Sequence, residues 1–271
     1  MKTFQKIVLL SLVSLWGVLP LVAQETSVVG SEITLTASDG VVVSAYWQPA
    51  KSKKTEHRID TASAATIMLF HMAGSSAIGE YAEISPILNA EGYNTLAVDL
   101  RSGGDRLGVP NKTASRLGDA QIGYCQAYPD MVAALKWVKT NSGQGPVIAL
   151  GSSYSAGLVI KLGAENQQDV AGVLSFSPAS GAPMADCRPE PFLEQMSIPL
   201  AVFRPDREMA IESVIAQAAA FRALGVPYHE IENGRHGSLM LRESQTGTDM
   251  DHAWQLVLEF LAGAASLHKQ M

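Results

Sequence analysis

Short runs of apolar residues, each too uniform to leave one face in water, alternate along this chain with stretches of helical period. That alternation admits few folds. The runs are residues 66–70, 95–98, 147–150, 170–176, 198–203 and 228–231, and the helical stretches are 81–90, 129–139, 155–164, 210–224 and 253–261. Strands that are apolar on both sides belong to a mostly parallel sheet covered by crossover helices on both faces. Ahead of them, residues 32–37 and 41–48 alternate apolar with polar and are joined at Ser38-Asp39-Gly40. Asp-Gly between two such segments signals a tight antiparallel hairpin. The expected architecture is therefore α/β, with about eight strands and a hairpin at its start. No repeat or Pro/Gly-rich linker divides residues 24–271, which read as one domain.

The first residues have a different pattern. Lys2 and Lys6 precede an apolar stretch over residues 7–22, and the small Ala23 comes before Gln24 and Glu25. A basic start, an apolar middle and a small-residue cut site describe a secretory signal peptide, expected at residues 1–23. Pro20 and the shortness of the run argue against a bilayer span, so no stable membrane insertion is expected after cleavage. The mature protein is expected to be secreted or periplasmic. Cys125 and Cys187 are the only cysteines. In an oxidising compartment they can pair; otherwise they are two buried thiols. Hydrophobic residues at 47% exclude a disordered chain. A net charge of −6, with no basic run beyond residues 51–54, excludes a nucleic-acid footprint and points to a small-molecule partner.

In a sheet of this kind, chemistry sits in the loops at the carboxyl ends of the strands. After the run 147–150 comes Gly151-Ser152-Ser153-Tyr154-Ser155-Ala156-Gly157, then an apolar helix. A strand, a sharp turn of small residues and a helix make a nucleophile elbow. Ser153 is the candidate nucleophile because the turn must follow the strand directly; Ser155 has small neighbours too but falls inside the helix. A serine hydroxyl needs a base, and the base needs an acid to hold its tautomer. His236 stands in Arg235-His236-Gly237-Ser238 after the last strand, and Asp206 and Glu208 follow the strand before it. Backbone N–H groups must also receive the developing oxyanion. One is that of Tyr154; the other lies in His71-Met72-Ala73-Gly74-Ser75-Ser76, where His71 itself reads as a loop-shaping residue rather than a base.

Phe70 to Ser76, the segment Ala97-Val98-Asp99-Leu100-Arg101-Ser102-Gly103-Gly104, the elbow and Arg235 to Ser238 together resemble the α/β-hydrolase superfamily, closest to compact, lidless members of the dienelactone-hydrolase and prolyl-oligopeptidase-like kind. The resemblance implies Ser153 as nucleophile, His236 as base and the N–H groups of Ala73 and Tyr154 as the oxyanion hole, with Met72 a neighbouring option for the first. It favours Glu208 over Asp206 as the acid. The chain departs from the common pattern at Arg204-Pro205, where His-Gly would end the strand, and at Ser155 in place of a glycine. The implied activity is an exported serine hydrolase of carboxylic esters with no cofactor and no metal. Transfer of the acyl group to another acceptor, or a binding protein that kept the fold without turnover, are the alternatives. Residues 101–128 and 179–194 should border the pocket, with Arg101, Arg106, Arg116 and Arg188 as candidates for a substrate carboxylate. Asp99 and Arg101 read as loop-holding residues, and Asn111-Lys112-Thr113 matches a glycosylation sequon.

Overall fold

The computed structural model describes residues 29–51, 63–118, 120 and 122–268. The signal-peptide reading of residues 1–23 lies outside them. Eight strands form a single sheet: β1 (Ser31–Thr36), β2 (Val42–Gln48), β3 (Thr66–Phe70), β4 (Asn94–Val98), β5 (Val147–Ser152), β6 (Gly172–Phe176), β7 (Leu200–Pro205) and β8 (Tyr228–Ile231). Their order is β1-β2-β4-β3-β5-β6-β7-β8. The hairpin β1–β2 and the pair β2–β4 are antiparallel; every other pair is parallel. This is the mostly parallel α/β sheet that the alternation predicts, and it is the α/β-hydrolase fold that the resemblance implies.

The two-sided burial follows the strand period of two. Along β3, Met68 and Phe70 enter one apolar cluster and Ile67 and Leu69 the other; along β7, Leu200 and Val202 part in the same way from Ala201 and Phe203. The first face is covered by α4 (Tyr128–Asn141), α5 (Tyr154–Glu165) and α7 (Glu212–Ala223), through Met131, Leu135, Leu158 and Phe221 among others. The opposite face is covered by α1 (Ala77–Tyr81), α2 (Ile84–Ala90) and α9 (Asp251–His268), through Tyr81, Leu88, Val257 and Leu261. Shorter helices α3 (Lys112–Leu117), α6 (Glu190–Leu193) and α8 (Glu243–Thr246) lie in the loops.

One local expectation is corrected. The helix expected over residues 81–90 is two helices, α1 and α2. Pro86 has no N–H, and its ring would strike the carbonyl four residues back, so a helix containing it must start close before it. The sequon residue Asn111 is 1% exposed and caps α3, its side chain accepting from Ala114 N–H at 2.8 Å. A buried cap is no glycan acceptor.

Cys125 and Cys187 are joined in a disulfide with Cα atoms 5.6 Å apart. It ties the loop after β4 to the loop after β6, the two segments expected to border the pocket. The bridge spans 62 residues of sequence. Reduction should therefore lower stability by about 2–4 kcal/mol, chiefly by freeing the unfolded chain. Urea unfolding with and without reductant measures this, and coincident curves would contradict a structural bridge.

Candidate active site

β5 runs into α5 through Ser153, which has φ 61° and ψ −118°. An L-residue pays of order 1–3 kcal/mol for such a sparsely populated conformation. The surroundings impose it: Ser153 N–H donates to Phe176 O at 2.8 Å, and its carbonyl accepts from Ala156 and Ala179 N–H. A Cβ at Gly151 would lie 2.4 Å from Ser155 O, so only glycine lets the first turn of α5 fold back onto the strand end. Ser152 and Tyr154 are buried, while Ser153 between them is partly exposed. Ser155 is fully buried, and its hydroxyl accepts from Ser152 N–H at 2.8 Å and lies 2.7 Å from Phe70 O. Its hydroxyl is spent on joining the elbow to the end of β3.

His236 follows β8 and is brought to the elbow by its own loop. Gly237 N–H donates to Ser177 Oγ at the end of β6, and Ser238 N–H to Ser152 Oγ at the end of β5, both at 3.0 Å. Gly237 has φ 67°, and a Cβ there would meet Ser152 Oγ at 2.1 Å, so the loop can close on the elbow only with glycine. His236 Nδ1 lies 2.6 Å from Glu208 Oε1, and the imidazole side chain is 41% exposed. Burial pushes the Glu208 carboxyl up, but the hydrogen bond from His236 and the charge of Arg204 outweigh it and hold the group below the usual carboxylate range. Asp206, the other acid considered, is exposed and accepts from Arg207 N–H at 2.7 Å. The structure brings Glu208, not Asp206, to His236.

The loop after β3 is shaped by two buried side chains. His71 Nδ1 meets Met72 O at 2.8 Å, while Nε2 accepts from Leu100 N–H at 2.9 Å and lies 3.0 Å from Asn111 Nδ2. Burial lowers its affinity for a proton, so the ring is neutral and fully engaged. Glu80 on α1 is completely buried; one oxygen accepts from Met72 N–H at 2.8 Å and the other from Ser238 Oγ at 2.6 Å. Met72 N–H is thereby occupied, and the next amide, Ala73, has no hydrogen-bond partner among the described residues. Tyr154, as the first residue of α5, has no intrahelical acceptor for its N–H. The ring of Tyr124, beside the disulfide, stacks on that of Tyr154 at 4.8 Å.

Glu80 was not singled out in the sequence, and neither were Ser177 and Gln217. A lone acid within an apolar helix start was the signal available for Glu80. Asp99 and Arg101 hold loops as expected. Asp99 accepts from Ala77 and Lys112 N–H, each at 2.7 Å, and burial pushes its carboxyl up to about 6. Arg101 is 7% exposed between Asp130 and Asp39, and Arg116 donates to Ser44 Oγ at 2.7 Å. Arg101, held between two carboxylates, is not free to meet a substrate carboxylate. Exposed Glu243, Asp249 and Asp251 bring carboxylate oxygens within 4.8 Å of one another, with nothing else there that points to an ion.

A family model described as serine aminopeptidase, S33, matches residues 61–225, more than half of the chain. No curated protein matches the sequence. Among solved structures, an esterase from Pyrococcus furiosus is similar with a TM-score of 0.59 and 19% identity, over 87% of this chain and 91% of that one. Est1E from Butyrivibrio proteoclasticus gives 0.61 and 14%, over 86% and 100%. An acylaminoacyl peptidase from Pyrococcus horikoshii gives 0.61 and 10%, over 86% of this chain and 41% of its own. At these identities the likeness is one of fold.

Because Glu80 joins the β3 loop to the histidine loop, Glu80→Ala should cost about 2–3 kcal/mol by leaving two buried donors unpaired. Glu80→Gln, which can accept from Met72 N–H and donate to Ser238 Oγ, should cost less. Urea midpoints of the three proteins rank them, and an Ala variant as stable as the parent would remove Glu80 from this role.

Proposed function

This chain belongs to the serine aminopeptidase S33 family of α/β-hydrolases, and from that premise we propose that it is a serine hydrolase that cleaves carboxylic esters through Ser153, His236 and Glu208. The observation that carries the reading is the partly exposed Ser153 at φ 61°, next to Ser152, whose hydroxyl fastens the loop of His236, itself 2.6 Å from Glu208, to the elbow. His236 Nε2 takes the proton of Ser153 Oγ as that oxygen bonds to the substrate carbonyl carbon. Glu208, 2.6 Å from Nδ1, keeps the proton on that nitrogen and stabilises the imidazolium that forms. The carbonyl oxygen takes the negative charge and is received by the N–H groups of Ala73 and Tyr154. As the tetrahedral species collapses, the C–O bond to the alcohol breaks and the leaving oxygen takes the proton from His236. Water, deprotonated by His236, then attacks the acyl-serine and releases the acid and the free serine.

An ester is the favoured bond because an alkoxide leaves with less help from an acid than an amine does. The reading includes export, with residues 24–271 as the one catalytic domain. The Cys125–Cys187 disulfide supports an oxidising compartment. The whole chain, expressed in a bacterium, should then be recovered outside the cytoplasm and cut near Ala23; full-length protein kept in the cytoplasm would contradict export.

A fluorophosphonate should give a single adduct on Ser153, absent from Ser153→Ala and His236→Ala. Hydrolysis of a p-nitrophenyl ester should fall by about 10³-fold or more in either variant and substantially in Glu208→Gln. Because Glu208 is held below the usual carboxylate range, it stays ionised through mildly acid pH. The acid limb of kcat/KM should therefore follow one group, the base. An adduct elsewhere, or two ionisations on that limb, would contradict the assignment. Faster turnover of an aminoacyl anilide than of the ester would move the substrate class to peptides.

A further inference from the structure

β7 carries an arginine in its buried body. Arg204 is 2% exposed, and burying a guanidinium costs several kcal/mol unless its donors are paired. An apolar side chain would fill the same space without that cost. The two terminal nitrogens are instead spent on particular groups, while Nε has no hydrogen-bond partner among the described residues. Nη1 donates to Glu208 Oε2 at 2.8 Å. Nη2 donates to Pro178 O and, at 2.8 Å, to Gln217 Oε1 on α7. Gln217 in turn donates to Glu190 Oε1 on α6 at 3.2 Å.

Two of these partners lead to the histidine, Glu208 directly and Pro178 through Ser177 and Gly237. Glu208 meets His236 Nδ1 with its other oxygen, at 2.6 Å. Pro178 follows Ser177, whose hydroxyl accepts from Gly237 N–H at 3.0 Å. A planar fork can hold a carboxylate and a carbonyl at fixed mutual angles, which an ammonium cannot do. We propose that Arg204 is a positioning residue for the reaction: its guanidinium fixes the Glu208 carboxylate and the Ser177-Pro178 loop together, and through both it orients His236. The inference rests on the triad reading above.

The charged and titratable groups around the guanidinium are Glu208, Glu190 through Gln217, and Tyr228 from β8. The groups that face the histidine loop are Glu208 and, behind Ser238, Glu80. Arg204 shares the negative charge of Glu208, which weakens the hold of that carboxylate on a protonated imidazole. Loss of the cation should therefore move the acid limb of kcat/KM upward, whereas loss of the fork alone should lower kcat and leave the limb in place.

The test compares Arg204→Met and Arg204→Lys with the parent on a p-nitrophenyl ester across the pH range, with near-ultraviolet circular dichroism to establish folding. Arg204→Met should lose about tenfold to a hundredfold in kcat at little change in KM, with the acid limb raised by about one unit. Arg204→Lys keeps the charge and loses the fork, so kcat should fall in the same range with the limb unmoved. A folded Met variant with the parental limb and kcat within about twofold overturns the proposal. If the Met variant does not fold, the Lys variant decides: a fall in kcat with the limb unmoved supports the role, and parental kcat overturns it. Fluorophosphonate labelling in parallel separates the two levels. A wild-type adduct on Ser153 with unaffected Arg204 variants ends the positioning role alone, while no adduct on Ser153 ends the triad reading and this inference with it.

Discussion

Ser153 occupies a backbone conformation that an L-residue adopts only at a cost, and the loops around it are built so that the strain cannot relax. Its N–H and carbonyl are tied to the end of β6, to α5 and to Ala179. Gly151 removes the side chain that would otherwise push α5 away, and Ser155 spends its hydroxyl fastening the turn to β3. Relief of the strain would break these bonds inside a buried sheet end, where unpaired polar groups cost more than the strain itself. The hydroxyl therefore stands clear of both strand and helix, at the partly exposed point where neighbouring side chains are buried.

The same economy places the other groups. Each loop that meets the elbow is held by a buried polar side chain rather than by secondary structure. Ser152 and Ser177 hold the histidine loop, Glu80 joins that loop to the one after β3, and Arg204 holds Glu208 and the β6 loop at once. Such groups are costly to bury singly, and acceptable here because each is paired with at least one partner of fixed geometry. Two apolar clusters, one on each face of the sheet, supply the favourable burial against which that cost is set. The disulfide closes the arrangement on the side of Tyr124, whose ring covers that of Tyr154.

The sheet was legible because its signal is local. Runs such as residues 67–70 are apolar at every position, and the structure sends alternate members to opposite clusters. The elbow and the histidine loop were legible because small residues at fixed offsets mark a sharp turn whatever the distant sequence does. The break before Pro86 was missed because helical periodicity outweighed a rule about one missing N–H. The partners of Arg204, Glu80 and Ser177 are set by contacts between residues far apart in sequence: Ser238 and Glu80 are separated by 158 positions. Arg204 was visible as a departure from the family pattern, but its hydrogen bonds needed the packed chain. Cys125 and Cys187 likewise left pairing open until the loops were placed side by side.

The central claim is that Ser153 Oγ forms the bond to the substrate. Rapid mixing of the enzyme with an excess of p-nitrophenyl acetate, followed by acid quench and peptide mass analysis, tests it without any variant. The account predicts an early mass gain of one acetyl group on the peptide containing Ser153, formed within the first turnover and lost as substrate is exhausted. Continued release of p-nitrophenol with no acyl group on that peptide, or with the acyl group on another residue, would contradict it.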